Sequence, residues 1–345
     1  NLMTNVNTIA ADALVRNAVV SPALFGITIP ANTKVNGFPS FPVGHVFQDY
    51  VPNHDADYVF EAEVRQATLM WFNYPLDTAL WLSGPTGCGK SSIVEQIANR
   101  FNWPVMKVTA FPEMDISTQI GSLRITSDPL TGDTKTVFVH GPLALAYKYG
   151  MVYLLDEYDQ LESSCANAFN TVLEGGNLII AETGEVIKKH ENFRFVATAN
   201  SIGQGDMTGM YGGVKMQNTA NLDRYMFVNT TYMAPDVEKN IVMKYIPDET
   251  IASKFVSIAN QIRKLHVGTE LSSDDVLSQN SPRLSVTCST RSLKRWVSRF
   301  AMMKQNKMPG ALMKSFDLHI GNRAPTDEKK ALHAIIESTF GSLAS

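Results

Sequence analysis

Between residues 58 and 198 the chain alternates short apolar runs with stretches whose apolar residues recur at helical spacing. Val59, Val64, Ala67, Leu69, Met70 and Trp71 space as a helix over 58–72, and 78–82 is an apolar run that leads directly into glycine. Residues 90–101 predict the next helix, 104–109 a second strand, 151–155 a third and 193–198 another. Strands that alternate with helices specify an α/β fold: a parallel sheet with right-handed crossovers, covered on both faces. Two hairpin-like inserts interrupt the rhythm. One spans 123–139 around the turn residues Asp128, Pro129, Gly132 and Asp133, and the other spans 178–187 and turns at Thr183 and Gly184.

The flanks are patterned differently. Up to Asp57 the chain is rich in Asn, Pro and Gly and has only short apolar runs, at 23–29 and 43–47, which predicts an appended segment with little helix. Beyond Pro235 the spacing becomes helical at 236–245, 249–266, 292–305 and 327–340. Three parts follow: an N-terminal segment 1–57, an α/β core 58–232 and a small helical domain 233–345.

Composition narrows the class of protein. The chain has 345 residues and a net charge of −3, and no stretch approaches the roughly 20 apolar residues of a membrane span, so a soluble, cytoplasmic protein with no membrane partner is expected. Cys88, Cys165 and Cys288 are odd in number and far apart, which argues against a disulfide framework and a structural zinc site. The seven histidines have no ligand-like spacing either. The slight acidity speaks against sequence-independent nucleic-acid binding. Beyond Tyr232, however, Lys and Arg outnumber Asp and Glu, so a local basic face stays open beside the plainer reading of a solvated helical surface.

The glycine that ends the first apolar run opens Gly84-Pro85-Thr86-Gly87-Cys88-Gly89-Lys90-Ser91-Ser92. Here G-x-x-x-x-G-K-S lies between a strand and a helix, so backbone N–H groups and a helix N-terminus converge on phosphate oxygens. Lys90 is placed to reach the β- and γ-phosphates of ATP, and Ser91 to coordinate Mg²⁺. Residues 151–155 run into Asp156 and Glu157, acids at the carboxyl edge of a parallel sheet: Asp156 to anchor the magnesium shell, Glu157 to orient and deprotonate the attacking water. Acids also end strands at ordinary surfaces, and it is the phosphate loop upstream that gives this pair its weight. Asn200, closing the run that begins at Phe193, offers an amide to the γ-phosphate or the water; a turn-forming Asn would look the same.

With these pieces in order, the chain resembles the AAA+ ATPases, and within them the MoxR group and its CobS-type members. The likeness is carried by residues 83–92, by the Asp-Glu-Tyr-Asp of 156–159, by the long run 193–225 and by Ser289-Thr290-Arg291-Ser292. It implies a five-stranded parallel sheet with a helical lid, and a hexameric ring with ATP bound between neighbouring subunits. It also implies that Arg224 is an arginine finger acting on the next protomer, against the plainer alternative of an ion pair with Asp223. Arg291 matches the lid arginine called sensor 2, with Arg283 as its rival. The 123–139 hairpin matches an insert of this clade, and the loop 203–216 lies where the family engages substrate or partner. A partner with a von Willebrand factor A domain, and a target protein remodelled by the ring, are implied with it.

Two functions follow as expectations. The first is a Mg-ATP-hydrolysing ring that remodels or activates a protein partner, in the manner of metal insertion, with chelation left to the partner. The second is a nucleic-acid-directed motor or defence component, which requires a basic channel in the helical domain or a pore loop.

Overall fold

The computed structural model describes residues 9–10, 12–127, 132–200, 219–266 and 284–341. In chain order the strands are β1 Ala18–Val20, β2 Phe38–Ser40, β3 Ala79–Ser83, β4 Val105–Thr109, β5 Gly121–Ser127, β6 Thr134–His140, β7 Val152–Asp156, β8 Leu178–Ile179, β9 Val186–Ile187, β10 Arg194–Ala199 and β11 Tyr225–Asn229. The helices are α1 Ala62–Asn73, α2 Lys90–Arg100, α3 Ile116–Ile120, α4 Pro142–Tyr149, α5 Ser163–Ala168, α6 Asn170–Leu173, α7 Thr219–Leu222, α8 Pro235–Met243, α9 Glu249–Leu265, α10 Thr290–Gln305, α11 Ala311–His319 and α12 Thr326–Phe340. The described residues form two compact units: one from residues up to 84, 90–200 and 219–230, the other from 85–89 and from 231 onward. Among the described residues no helix is long and apolar enough to cross a membrane.

The first unit is the expected α/β layer structure. Its sheet runs β11-β3-β10-β7-β4 with every neighbouring pair parallel. The central strands are buried along almost their whole length, which is why they read as continuous apolar runs rather than alternating ones. Local chemistry sets the helix ends. The Glu61 carboxylate accepts the N–H of Val64 at 2.7 Å and of Glu63 at 3.2 Å, so α1 starts at Ala62, later than its apolar spacing suggests. Pro142 at the first turn and Gly150 in the left-handed region at φ 76° bound α4, a helix that the apolar pattern did not announce. Both hairpins are present: β5 pairs with β6 and β8 with β9, and residues 128–131 of the first turn lie outside the described residues.

The N-terminal segment has short 3₁₀ turns and the β1–β2 pair but no α-helix among its described residues. Its Phe25 and Phe41 are buried against α2 and the turn after it. The Phe25 ring centroid lies 4.8 Å from Phe101, and that of Phe41 5.1 Å from Trp103. Trp103 also meets two cations, with Arg16 4.7 Å and Arg194 5.1 Å from its ring. Among the described residues Arg194 makes no ion pair. It donates to the carbonyls of Phe72 at 2.9 and 3.0 Å and of Glu191 and Phe193 at 3.0 Å, and burial pulls its pKa down to about 10.

The second unit is helical. Phe255, Trp296, Phe316, Leu332, Ile336 and Phe340 fill its core, with the Trp296 ring 4.6 Å from Phe255 and 5.0 Å from Phe316. A buried ion pair joins α8 to α9: Arg263 donates to both carboxylate oxygens of Glu238, at 2.7 and 2.8 Å, and to the carbonyl of Cys288 at 2.7 Å. Thr290 completes the cluster by donating to Glu238 at 2.6 Å. Burial of Cys288 pushes its thiol up to about 12, so it is an inert core thiol.

Trp103→Ala removes a fully buried ring that two guanidinium groups face and that donates to the Gly150 carbonyl at 2.9 Å. Thermal denaturation should show a loss of about 3–5 kcal/mol, the range for a large aromatic truncated in a core.

Candidate functional site

The phosphate loop leaves β3 at Ser83 and enters α2 at Lys90. Its glycines are dictated by space as well as conformation. A Cβ on Gly84, at φ 151°, would overlap the Thr230 carbonyl, and one on Gly87, at φ 76°, would stand 2.6 Å from Ser289 Cβ. Gly89 is also left-handed, at φ 102°. Within the second unit the loop is tied down by Tyr232, whose hydroxyl donates to the Thr86 carbonyl at 3.2 Å and whose ring lies 4.2 Å from Arg263.

Four of the residues expected at the site come together at the carboxyl edge of the sheet. Lys90 Nζ donates to the Gly84 carbonyl at 2.7 Å and to Asn200 Oδ1 at 3.1 Å. Ser91 Oγ donates to Asp156 Oδ1 at 2.8 Å. Register explains the meeting. Ala199 pairs with Ser83 and Ala197 with Leu155, so the ends of β3, β7 and β10 lie level. Side chains two apart on a strand share a face, so Thr198 and Asn200 point the same way from β10. Glu157 follows in the left-handed region at φ 59° with its side chain exposed, a costly conformation for a residue that is not glycine.

Three further residues belong to this cluster and were given no role from the sequence, although Asp159 closes the Asp-Glu-Tyr-Asp run that carries the resemblance. Thr198 donates to Asp156 Oδ1, sharing that oxygen with Ser91. Asp159, fully buried, accepts the Asn200 backbone N–H at 2.8 Å and so fixes the amide beside Lys90. Lys107 stands 3.9 Å from Asp156. A hydroxyl inside an otherwise apolar strand was the available signal for Thr198. For Asp159 it was an acid one turn past an acidic strand end.

The remaining candidates lie elsewhere. Arg224 precedes β11, whose Tyr225 pairs with Ala79, while Lys90 follows the other end of β3. A strand length of about 13–17 Å separates the two edges. Arg224 pairs with Glu174, and Nε donates to Oε1 at 3.0 Å, so the ion partner weighed from the sequence, Asp223, is not the one found. Arg291 is exposed near the start of α10, in the second unit. Arg283 and the 203–216 loop lie outside the described residues.

The donor set of one hydroxyl and one carboxylate is hard oxygen. That suits magnesium, which takes few protein ligands and leaves the rest of its shell to phosphate and water. Among the described residues no group of three or more His, Cys, Asp or Glu could hold a metal ion by itself.

A model of the AAA domain (dynein-related subfamily) matches residues 79–210, from β3 into the 203–216 run. The aerobic cobaltochelatase subunit CobS of a Sinorhizobium species is 33% identical over 246 residues, which cover 69% of this chain and 71% of that protein. Midasin of Giardia intestinalis is 29% identical over 175 residues, half of this chain but only 3% of that protein. The solved structure of a Thermotoga maritima RuvB variant aligns at 12% identity and a TM-score of 0.45, over 76% of this chain and 71% of that one.

Thr198→Val keeps the shape of β10 and deletes one hydroxyl from Asp156. The Mg²⁺-dependent affinity for a fluorescent ATP analogue should fall about three- to tenfold, the scale of one hydrogen bond, with the affinity measured without Mg²⁺ changed less.

Proposed function

The chain belongs to the AAA+ ATPase family, and from that premise we propose that it is a Mg-ATP-hydrolysing motor of the MoxR and CobS kind that works as a ring on a protein partner. The observation that carries this reading is the division of the site residues between two edges of one sheet. Lys90, Ser91, Asp156 and Asn200 converge at the carboxyl edge, and Arg224 stands at the amino edge. An arginine a strand length away is too far to serve a phosphate of its own chain, which supports a role toward that of a neighbour. Here Arg224 acts as the finger in trans, leaving Glu174 when a neighbouring protomer docks.

In this mechanism Lys90 exchanges the Gly84 carbonyl and the Asn200 amide for β- and γ-phosphate oxygens. The nucleotide lies over residues 84–92, from Gly84 to Ser92. Ser91 and Asp156 would hold the magnesium ion, which would supply positive charge against the phosphate oxygens. Thr198 keeps the Asp156 carboxylate turned toward Ser91. Glu157 takes a proton from water as the water oxygen bonds to the γ-phosphorus and the bond from that phosphorus to the bridging oxygen breaks, releasing ADP. Asn200, fixed by Asp159, holds the attacking water. Arg291 is proposed as the sensor that couples nucleotide state to the helical unit.

The partner proposed here, a protein with a von Willebrand factor A domain, follows the resemblance to the MoxR group, and a target remodelled or activated during metal insertion is proposed from the similarity to a cobaltochelatase subunit. Chelation itself belongs to that target. ATPase rates unmoved by any such partner would remove this part of the reading.

Glu157→Gln should lower kcat at least a hundredfold with ATP affinity within twofold of the native chain. The shared site has a sharper test in mixed rings. Glu157→Gln and Arg224→Ala chains should each be inactive alone yet recover a measurable fraction of ATPase activity when combined, because an intact Glu157 then meets an intact Arg224 across one interface. No recovery in co-assembled rings would overturn the trans assignment.

A further inference from the structure

One face of α10 carries charge that the described structure does not balance. Leu293, Trp296, Val297 and Met303 are buried in the helical core, while Arg291, Lys294, Arg295 and Arg299 are exposed on the opposite face. With Tyr245 and His319 these cations line a cavity of about 530 Å³. From residue 285 to 316 the chain contains seven Lys or Arg and no Asp or Glu. Among the described residues none of the four cations has an ion pair or a side-chain hydrogen bond. Elsewhere in the same unit Lys239 and Lys329 each lie 2.9 Å from a carboxylate, and Lys330 lies 3.6 Å from one. Like charges at i and i+4 repel along a helix, so this run of four cations is destabilising unless a counter-charge comes from another molecule.

The wall of the cavity is also polar in a specific way. His319 Nε2 is buried there without a hydrogen-bond partner among the described residues. Burial, with Arg299, Arg295 and Arg323 nearby, holds its imidazole below the ordinary pKa, so the ring is neutral and Nε2 has a hydrogen bond to give or accept. Arg291, Arg295 and Arg299 climb the face in steps of about 6 Å, four residues of helix each. Guanidinium forks match phosphate oxygens in pairs. Tyr245, half-buried beside them, offers an aromatic face of the kind on which unpaired bases stack. An acidic peptide would neutralise the cations but would leave the ring unused.

We propose that this cavity binds the phosphodiester backbone of a single-stranded nucleic acid, with Lys294, Arg295 and Arg299 on phosphates and Tyr245 against a base. The net acidity of the chain does not oppose this, because charges farther than about 8 Å are largely screened at physiological salt. The inference goes beyond the ATPase reading and stands without it. Arg291, assigned to nucleotide sensing, is left out of the test.

The test is fluorescence anisotropy of a labelled poly-dT strand of about 20 nucleotides, longer than one such site occupies, titrated with the full chain between about 50 and 200 mM salt. The native chain should bind with an affinity that falls steeply with salt. Arg295→Gln/Arg299→Gln should weaken binding at least tenfold and make the log–log salt slope shallower by about 1.4, the share of two single-strand phosphates. Tyr245→Ala should weaken binding with the slope unchanged, and all variants should bind the fluorescent ATP analogue as the native chain does. If the double variant loses nucleotide binding as well, Lys294→Gln alone decides, with a slope change of about 0.7. Failure of the native chain to bind poly-dT at the lower salt overturns the proposal, as does unchanged binding in the variants. Displacement of the strand by polyglutamate at equal charge also overturns it, since an acidic protein is then the occupant. None of these outcomes bears on hydrolysis, which Glu157→Gln reads separately.

Discussion

The parallel register of β3, β10 and β7 is the constraint on which the site depends. With Ala199 level with Ser83 and Ala197 level with Leu155, the three strands end together, and the phosphate loop, the acidic pair and the asparagine emerge side by side. A slip of one residue in β10 would turn Thr198 and Asn200 to the opposite face and deprive both Asp156 and Lys90 of a partner. Burial on both faces guards against that slip, because Val196 and Ala197 have no water-facing side to accept a polar neighbour. The same sheet sends Arg224 to the far edge, so one set of strands both builds a site and separates it from the arginine proposed to complete it.

How much of this was legible in the sequence depended on whether a feature is local. The phosphate loop is a local solution to a local problem: three glycines in left-handed conformations, a lysine and a serine at fixed spacing, and a strand and a helix on either side. Its residues can be named before any fold is known. Asp156 and Glu157 were legible for the same reason, as the end of an apolar run. Thr198, Asp159 and Glu174 were not, because their importance comes from partners 42, 41 and 50 positions away, which only the sheet brings near. β11 was not read from the apolar pattern although Tyr225 to Val228 are apolar and it is as long as β3; it was the resemblance to known ATPases that implied a fifth strand.

The N-terminal segment shows a second limit of pattern reading. Aromatic residues in turns have no period to detect, so Phe25 and Phe47 read only as members of two short apolar runs in a loop-rich stretch, and Phe41 was not singled out. In the structure they are among the most deeply buried side chains, and Arg16 and Arg194 meet the Trp103 ring where the segment crosses the core. A guanidinium can be buried in this way because carbonyl oxygens and an aromatic face take the place of a carboxylate, each an individually modest interaction.

Net charge hid the opposite kind of feature. A total of −3 averages an acidic α/β region with a helical region in which cations predominate, and within that region it averages paired lysines with the unpaired face of α10. Pairing is the more informative quantity, because a charge with a carboxylate 2.9 Å away has already met its counter-ion within the fold, whereas four exposed cations without one hold a field that extends into solvent. In the sheet unit the charged groups of the site are held by hydrogen bonds within the fold: Lys90 by the Gly84 carbonyl and the Asn200 amide oxygen, Asp156 by the Ser91 and Thr198 hydroxyls. Such preorganisation belongs to chemistry performed in place. The α10 face has no such internal network, and charge left in that state is suited to capture rather than to catalysis.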